Sequence, residues 1–353
     1  MLIYILLVVL ILSMNILLNM NRITKKQFCL IVGAAFILIT GLRSVNVGSD
    51  TTIYYLDFMA MKHISWESFM SLEKRDIAYY GLAWLLSKTT GSFVILTLLT
   101  AFAFYAPIMK LVYKYSDDPG LSCFILMAFN FFQFSMTGMR QTIAFGFAIL
   151  FFLELHEKQV SKKRAAVFLI LGILFHRSAL MMVLYPIIKY VSKKRINVQL
   201  LLVLIPTVFL FRTTIIDSLD VFFDLVGFDL SKMEEVGGGL TTFLVYGILT
   251  VGSLLIHVES SEDEFASNEL VLYSIVGTSL QAFVLVNSVF FRVAWYFAIF
   301  FIILIPKFLK KGIFIREDLK IFNMLAYAAV LFMYFGITKG SANVLPYEFF
   351  WQG

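Results

Sequence analysis

The stretch Arg164-Ala-Ala-Val-Phe-Leu-Ile-Leu-Gly-Ile-Leu-Phe175-His176-Arg177-Ser178-Ala-Leu-Met-Met-Val-Leu-Tyr-Pro-Ile-Ile-Lys-Tyr-Val191 decides the topology of this chain. Its 28 residues are either one long membrane span or two short helices joined at His176–Arg177–Ser178. A single span strands Arg177 in the membrane and leaves 13 basic residues inside against 15 outside. A hairpin, with the N-terminus outside, puts 18 of the 29 basic residues inside, in clusters near Arg22–Lys26, Lys110–Lys114, Lys158–Arg164, Lys189–Arg195 and Lys307–Lys320. Lys and Arg accumulate on the cytoplasmic side of short loops, so the hairpin is the expected arrangement. Its first arm, Ala165–Phe175, covers only about 16 Å at 1.5 Å per residue, about half a bilayer. The tip then lies below the outer surface, where polar backbone is tolerated only if protein or water surrounds it.

The rest of the chain sets the context. Of 353 residues, 60% are hydrophobic and 15% charged, and the mean hydropathy is +0.87. That composition excludes a soluble domain, a disordered chain and a secreted disulfide scaffold. The expected fold class is all-α: a polytopic integral membrane protein with about ten full spans plus the short-helix hairpin at 164–191. The spans are expected near 2–20, 27–42, 91–113, 120–136, 139–156, 197–215, 240–258, 269–287, 291–309 and 319–337, with both termini outside. The first run, Met1–Met20, has its charges after it and no small-residue cleavage site, which reads as a retained helix. Within this single transmembrane domain, 43–90 is an outer segment with amphipathic interfacial helices and 212–239 is an acidic outer loop. Cys29 and Cys123 fall at inner helix ends, so neither a disulfide nor a metal site is expected.

Nucleotide and metal signatures are missing from the sequence: it has no Gly-rich phosphate loop, no His-Glu-x-x-His and no Cys-x-x-Cys. ATP hydrolysis is therefore excluded, and the near absence of acids within the spans weakens proton-driven transport. Single arginines stand at outer helix ends instead: Arg43, Arg140, Arg177, Arg212 and Arg292. Arg140, Arg177 and Arg292 each open an inward-running helix, where a cation opposes the helix dipole unless an anion is shared with the N–H groups. The expectation is one pyrophosphate site with Arg43 at its rim; snorkelling to lipid phosphate, or pairing with an acid, is the bland alternative. Asp50 reads either as an N-cap or as a sugar ligand, and His176 as a satisfied core residue or a general base. His176 and Asp50 are the two candidate catalytic bases, with His176 preferred because an unperturbed imidazole titrates near neutral pH and the tip adjoins Arg177. All four tryptophans map to the outer side, where they belt the interface or stack on sugar rings.

Several of these pieces form an ordered set. Arg43 followed by Asn46-Val47-Gly48-Ser49-Asp50-Thr51 and Tyr54, then Met139-Arg140-Gln141 with Ala144, then Phe175-His176-Arg177-Ser178-Ala179, then Arg292 with Tyr296 and Pro306, resembles the EpsG family of Wzy-like polysaccharide polymerases. The chain departs from that pattern at Asp76-Ile77-Ala78-Tyr79, where Glu-x-Gly-Tyr is common. The resemblance implies a glycosyltransferase of exopolysaccharide or O-antigen synthesis in the bacterial inner membrane, with its active site facing the periplasm. It moves a growing undecaprenyl-pyrophosphate-linked glycan onto a lipid-linked repeat unit without metal, nucleotide or other cofactor. The implied partners are those lipid-linked glycans, membrane lipid, a chain-length regulator and a flippase, with no nucleic acid. Arg43, Arg140, Arg177 and Arg292 would then bind pyrophosphate, and Gln141, Ser178, Tyr54 and Tyr296 would contact substrate. A lipid-linked oligosaccharide flippase and an O-antigen ligase are the competing readings.

Overall fold

The computed structural model describes residues 1–71, 76–194, 198–218, 239–255, 264–311 and 342–352. Among these the chain is all-helical, with one isolated β-bridge between Arg43 and Phe349. It divides into two compact units, Met1–Met182 with Arg316–Gly353, and Val183–Ile315.

In the first unit the helices are α1 (Leu2–Asn19), α2 (Lys25–Gly41), α3 (Thr51–Met61), α4 (Trp66–Ser71), α5 (Ile77–Thr89), α6 (Phe93–Tyr115), α7 (Pro119–Ala128), α8 (Phe131–Phe134), α9 (Met139–Leu155) and α10 (Lys162–Phe175). Local chemistry sets their starts. Thr24 and Gln27 form a capping box on α2, Asp118 accepts from the Leu121 N–H ahead of α7, and the Ser161 hydroxyl accepts from the Arg164 N–H ahead of α10. The apolar helices then pair lengthwise. Gly41 faces Leu98 and Gly33 faces Met109, so α2 and α6 are antiparallel. Met139 shares a cluster with Phe93 and Leu96 while Phe152 packs on Tyr115, so α6 and α9 are parallel. Phe147 stacks on Phe175 and Glu154 pairs with Arg164, so α9 and α10 are antiparallel.

This pairing gives the unit two chemically different ends. One gathers Lys25, Lys110, Lys114, Lys158 and Arg164; the other gathers Arg43, Asp50, Asp76, Arg140, His176 and Arg177. Both terminal segments lie at the second end, since the Tyr4 hydroxyl donates to the Val344 carbonyl at 2.8 Å.

Two expected spans are broken. Residues 120–136 are not one helix: α7 stops at Ala128, Asn130 takes a left-handed conformation (φ 66°), and only the short α8 follows. Every residue of α7 is buried, so its uniform apolarity reflects a core helix rather than a lipid-facing one. The polar backbone around α8 is satisfied by side chains: Thr51 donates to the Met136 carbonyl at 2.8 Å, and the Ser135 hydroxyl donates to the Phe132 carbonyl at 2.7 Å. In the second unit, residues 291–309 split into helices Phe290–Ala298 and Phe301–Leu309, bent by 41°. Among the described residues, Leu2–Asn19 and Phe93–Tyr115 are each long and apolar enough to cross a membrane, and a third segment is if the bent pair counts as one. Span 319–337 and most of the 212–239 loop lie outside the described residues.

The opening stretch breaks at His176: α10 ends at Phe175, a 3₁₀ segment runs Arg177–Val183, and a helix follows over Leu184–Ser192. The second arm is therefore not one α-helix from Ser178. The rest of the second unit contains helices Val198–Leu210, Gly239–Leu255 and Glu264–Phe283, besides the bent pair. Tyr185, Tyr273, Phe297 and Phe300 form an aromatic cluster there.

Candidate functional site

The segment after α2 is folded against residues 342–352. The Ser44 N–H donates to Glu348, Gly48 to Asn343, Ser49 to Ala342, and Phe350 back to Leu42. Gly48 has φ +99°, and a Cβ there would lie 2.2 Å from the Met136 carbonyl, so only glycine closes this turn. Arg43 is 2% exposed beneath this cover. It donates to the Thr40 carbonyl, and its Nε and Nη2 have no hydrogen-bond partner. The expectation of Arg43 at a cavity rim is corrected here: residues 342–352 enclose it.

Asp50 precedes α3 without a side-chain capping bond; it accepts from the Ser49 hydroxyl at 3.3 Å. The capping reading of Asp50 therefore fails, because the adjacent Thr51 hydroxyl is what bonds the turn, reaching the Val47 and Met136 carbonyls. One turn along α3, the Tyr54 N–H donates to the Asp50 carbonyl, which puts Asp50 and Tyr54 on one helix face.

Tyr54 leads directly to the arginines. Arg140, at the start of α9, donates through Nε to the Tyr54 hydroxyl (3.4 Å) and through Nη1 to Asp76 Oδ2 (2.9 Å). Its guanidinium lies 5.7 Å from the Tyr54 ring centre and 5.8 Å from that of Tyr80, within cation–π range. Asp76, just before α5, is 8% exposed and also accepts the backbone N–H of Arg177. One carboxylate thus joins the first turn of α9 to the residue after the α10 break. Burial, the largest influence, pushes the Asp76 carboxyl above the ordinary carboxylate range, against the pull of Arg140 and Arg177. Asp76 was the residue that sequence reasoning left without a role; its only sequence signal was an acid in a family position, one methylene short.

His176 faces its own neighbour. Its Nδ1 sits 2.6 Å from the Ser178 hydroxyl and accepts the Ser178 N–H at 3.3 Å. With Nδ1 accepting, the neutral ring carries its proton on Nε2, which is then a donor. Ser178 is buried and Arg177 is exposed. Gln141 is buried inside α9.

Arg292 and Tyr296 belong to the second unit. Arg292 lies 5.7 Å from the Phe291 ring centre, and Tyr296 is wholly buried, its carbonyl accepting from the Tyr185 hydroxyl at 2.6 Å. The structure therefore joins Tyr54, Asp76, Arg140 and Arg177 directly, with Asp50 one helical turn from Tyr54 and His176 next to Arg177.

The model of the EpsG family matches residues 26–349. The chain belongs to the EpsG family. No curated protein and no solved structure matches it. Family membership makes it a polysaccharide-biosynthesis polymerase of glycosyltransferase type, in keeping with its apolar helices.

Proposed function

We propose that this polymerase transfers a growing glycan from undecaprenyl pyrophosphate onto the non-reducing end of a lipid-linked repeat unit, at the periplasmic face of the bacterial inner membrane. One observation carries the reading: the Asp76 carboxylate binds the Arg140 side chain and the Arg177 backbone together, which brings these two residues to the same end of the first unit. Arg140, half-exposed in the first turn of α9, and Arg177, exposed at the start of the 3₁₀ segment, suit an anion, and planar guanidinium forks match phosphate oxygens.

In this reading Arg140 and Arg177 neutralise the charge that develops on the leaving pyrophosphate. Pyrophosphate is already a good leaving group, so the reaction asks for no nucleotide. Arg43, buried beneath residues 342–352, is assigned to the floor of this site. The Nε2 proton of His176 suits a hydrogen bond to a phosphate oxygen. The acceptor hydroxyl then loses its proton to Asp50, which is not consumed by a cap and shares a helix face with Tyr54. The lysine-rich end of the unit faces the cytoplasm, and about ten spans with both termini periplasmic complete the topology.

Glycan analysis of a deletion strain tests the proposal. Single lipid-linked repeats accumulating on the periplasmic side are the expected result. Repeats accumulating on the cytoplasmic side would assign the chain to flipping, and full-length polymer left unattached to its final acceptor would assign it to ligation.

A further inference from the structure

Helices α6 and α9 meet at one point with unusual closeness. A Cβ on Gly146 would lie 1.9 Å from the Ala103 carbonyl oxygen. Pro107 stands four residues after Ala103 in α6, so the N–H that would bond this carbonyl is missing. Glycine at 146 is what permits this approach, since a Cβ there would collide with the carbonyl.

Beside this pinch the two helices leave a groove of about 350 Å³. Phe102, Ala106, Phe147 and Leu150 form its walls, and Lys110 is the one charged residue lining it. That volume is at the small end of ligand sites. Its apolar walls offer nothing to a sugar hydroxyl, which would lose its hydrogen bonds there. They suit a hydrocarbon chain. Phe102 is 58% exposed, so the groove opens sideways from a helix long and apolar enough to cross a membrane.

Lys110 decides which lipid. It is exposed, and its neighbour Lys114 is paired with Glu157 at 2.7 Å. An ammonium at the end of an apolar groove complements a phosphate head group. Arg140 is ten residues from Leu150 along α9, about 15 Å of helix, and Lys110 lies toward the opposite, lysine-rich end. A lipid with its phosphate at Arg140 would draw nothing from Lys110.

We propose that the α6–α9 groove binds one acyl chain of an anionic phospholipid of the leaflet opposite the arginine site, with Lys110 holding its head-group phosphate. This assignment does not depend on the transfer reaction.

The full-length protein, purified in mild detergent, is offered phosphatidylglycerol, phosphatidylcholine and undecaprenyl phosphate, and bound lipid is counted by native mass spectrometry. The expected preference of the wild type for phosphatidylglycerol over phosphatidylcholine at one site is about fivefold, the worth of one basic residue near an anionic head group. Lys110→Gln should bring the two lipids to parity, and Lys158→Gln, a change in an exposed residue at the same end, should leave the preference intact. Ala106→Phe should fill the groove and remove the tightly held lipid; Lys110→Gln keeps the test open if that variant fails to fold. Equal retention of both lipids by the wild type would overturn the proposal. So would a preference unchanged in Lys110→Gln, or undecaprenyl phosphate taking the site from phosphatidylglycerol.

Discussion

Asp76 ties Arg140 and Arg177 to one another, and its loss should be felt in catalysis before it is felt in folding. Replacing it with Asn keeps the shape but removes the charge that aims Arg140, so turnover should fall about 10²- to 10³-fold, the usual cost of losing one aimed donor to a developing anion. Only the ionised carboxylate holds Arg140, and burial raises the Asp76 pKa above that of an ordinary aspartate, about 3.9. Activity is therefore present above this raised value and lost as pH falls through it. The pH–rate profile should show an acid limb displaced upward from that of an ordinary aspartate, and the limb should disappear in Asp76→Asn; a limb that persists in the variant assigns the titration elsewhere. Arg140→Lys should lose most activity although the charge is kept, since an ammonium cannot reach Asp76 and Tyr54 together in the same plane. The arginines were legible in the sequence because a cation at a helix start conflicts with the helix dipole. Asp76 was not, because its partners lie 64 and 101 residues further on, and no local pattern encodes that meeting.

Helix positions followed from hydropathy, whereas helix ends required turn chemistry. The run at 120–136 reads as one span because an apolarity window passes over Asn130, whose left-handed backbone divides it. Conversely, the break after Phe175 was legible, because His-Arg-Ser in mid-run is too polar to be ignored. Gly48 and Gly91 offer a paired test of turn strain. Both have positive φ, but a Cβ on Gly48 would meet the Met136 carbonyl, whereas one on Gly91 meets nothing within 4 Å. Gly91→Ala should cost about 1–2 kcal/mol from backbone strain alone. Gly48→Ala should cost more, with a clearly lower melting temperature in detergent. Equal losses would show that the Gly48 turn has room the structure does not display.

On the scale of the molecule, the pairing of α2, α6, α9 and α10 separates a lysine-rich end from an arginine-and-aspartate end, and both terminal segments sit at the latter. Orientation in the membrane then makes a simple labelling prediction. A cysteine replacing Trp351, exposed at the arginine end, should react with an impermeant thiol reagent added outside, and one replacing Lys158 should be shielded until the membrane is permeabilised. Labelling of Lys158→Cys from outside would invert the topology. The charge ledger made this asymmetry legible before any coordinates, since basic residues cluster by loop; which acid closes the site and what covers Arg43 depend on contacts between distant segments. The central claim is that the Asp76-linked arginines drive pyrophosphate departure during glycan transfer. Its most direct test is purified protein mixed with a defined undecaprenyl-pyrophosphate-linked repeat, with products resolved by size and released undecaprenyl pyrophosphate quantified. A ladder of polymer with one lipid pyrophosphate released per bond, both slowed together about 10²-fold or more in Asp76→Asn and strongly in Arg140→Lys, is the predicted result. Polymer formed at wild-type rate by both variants would contradict it.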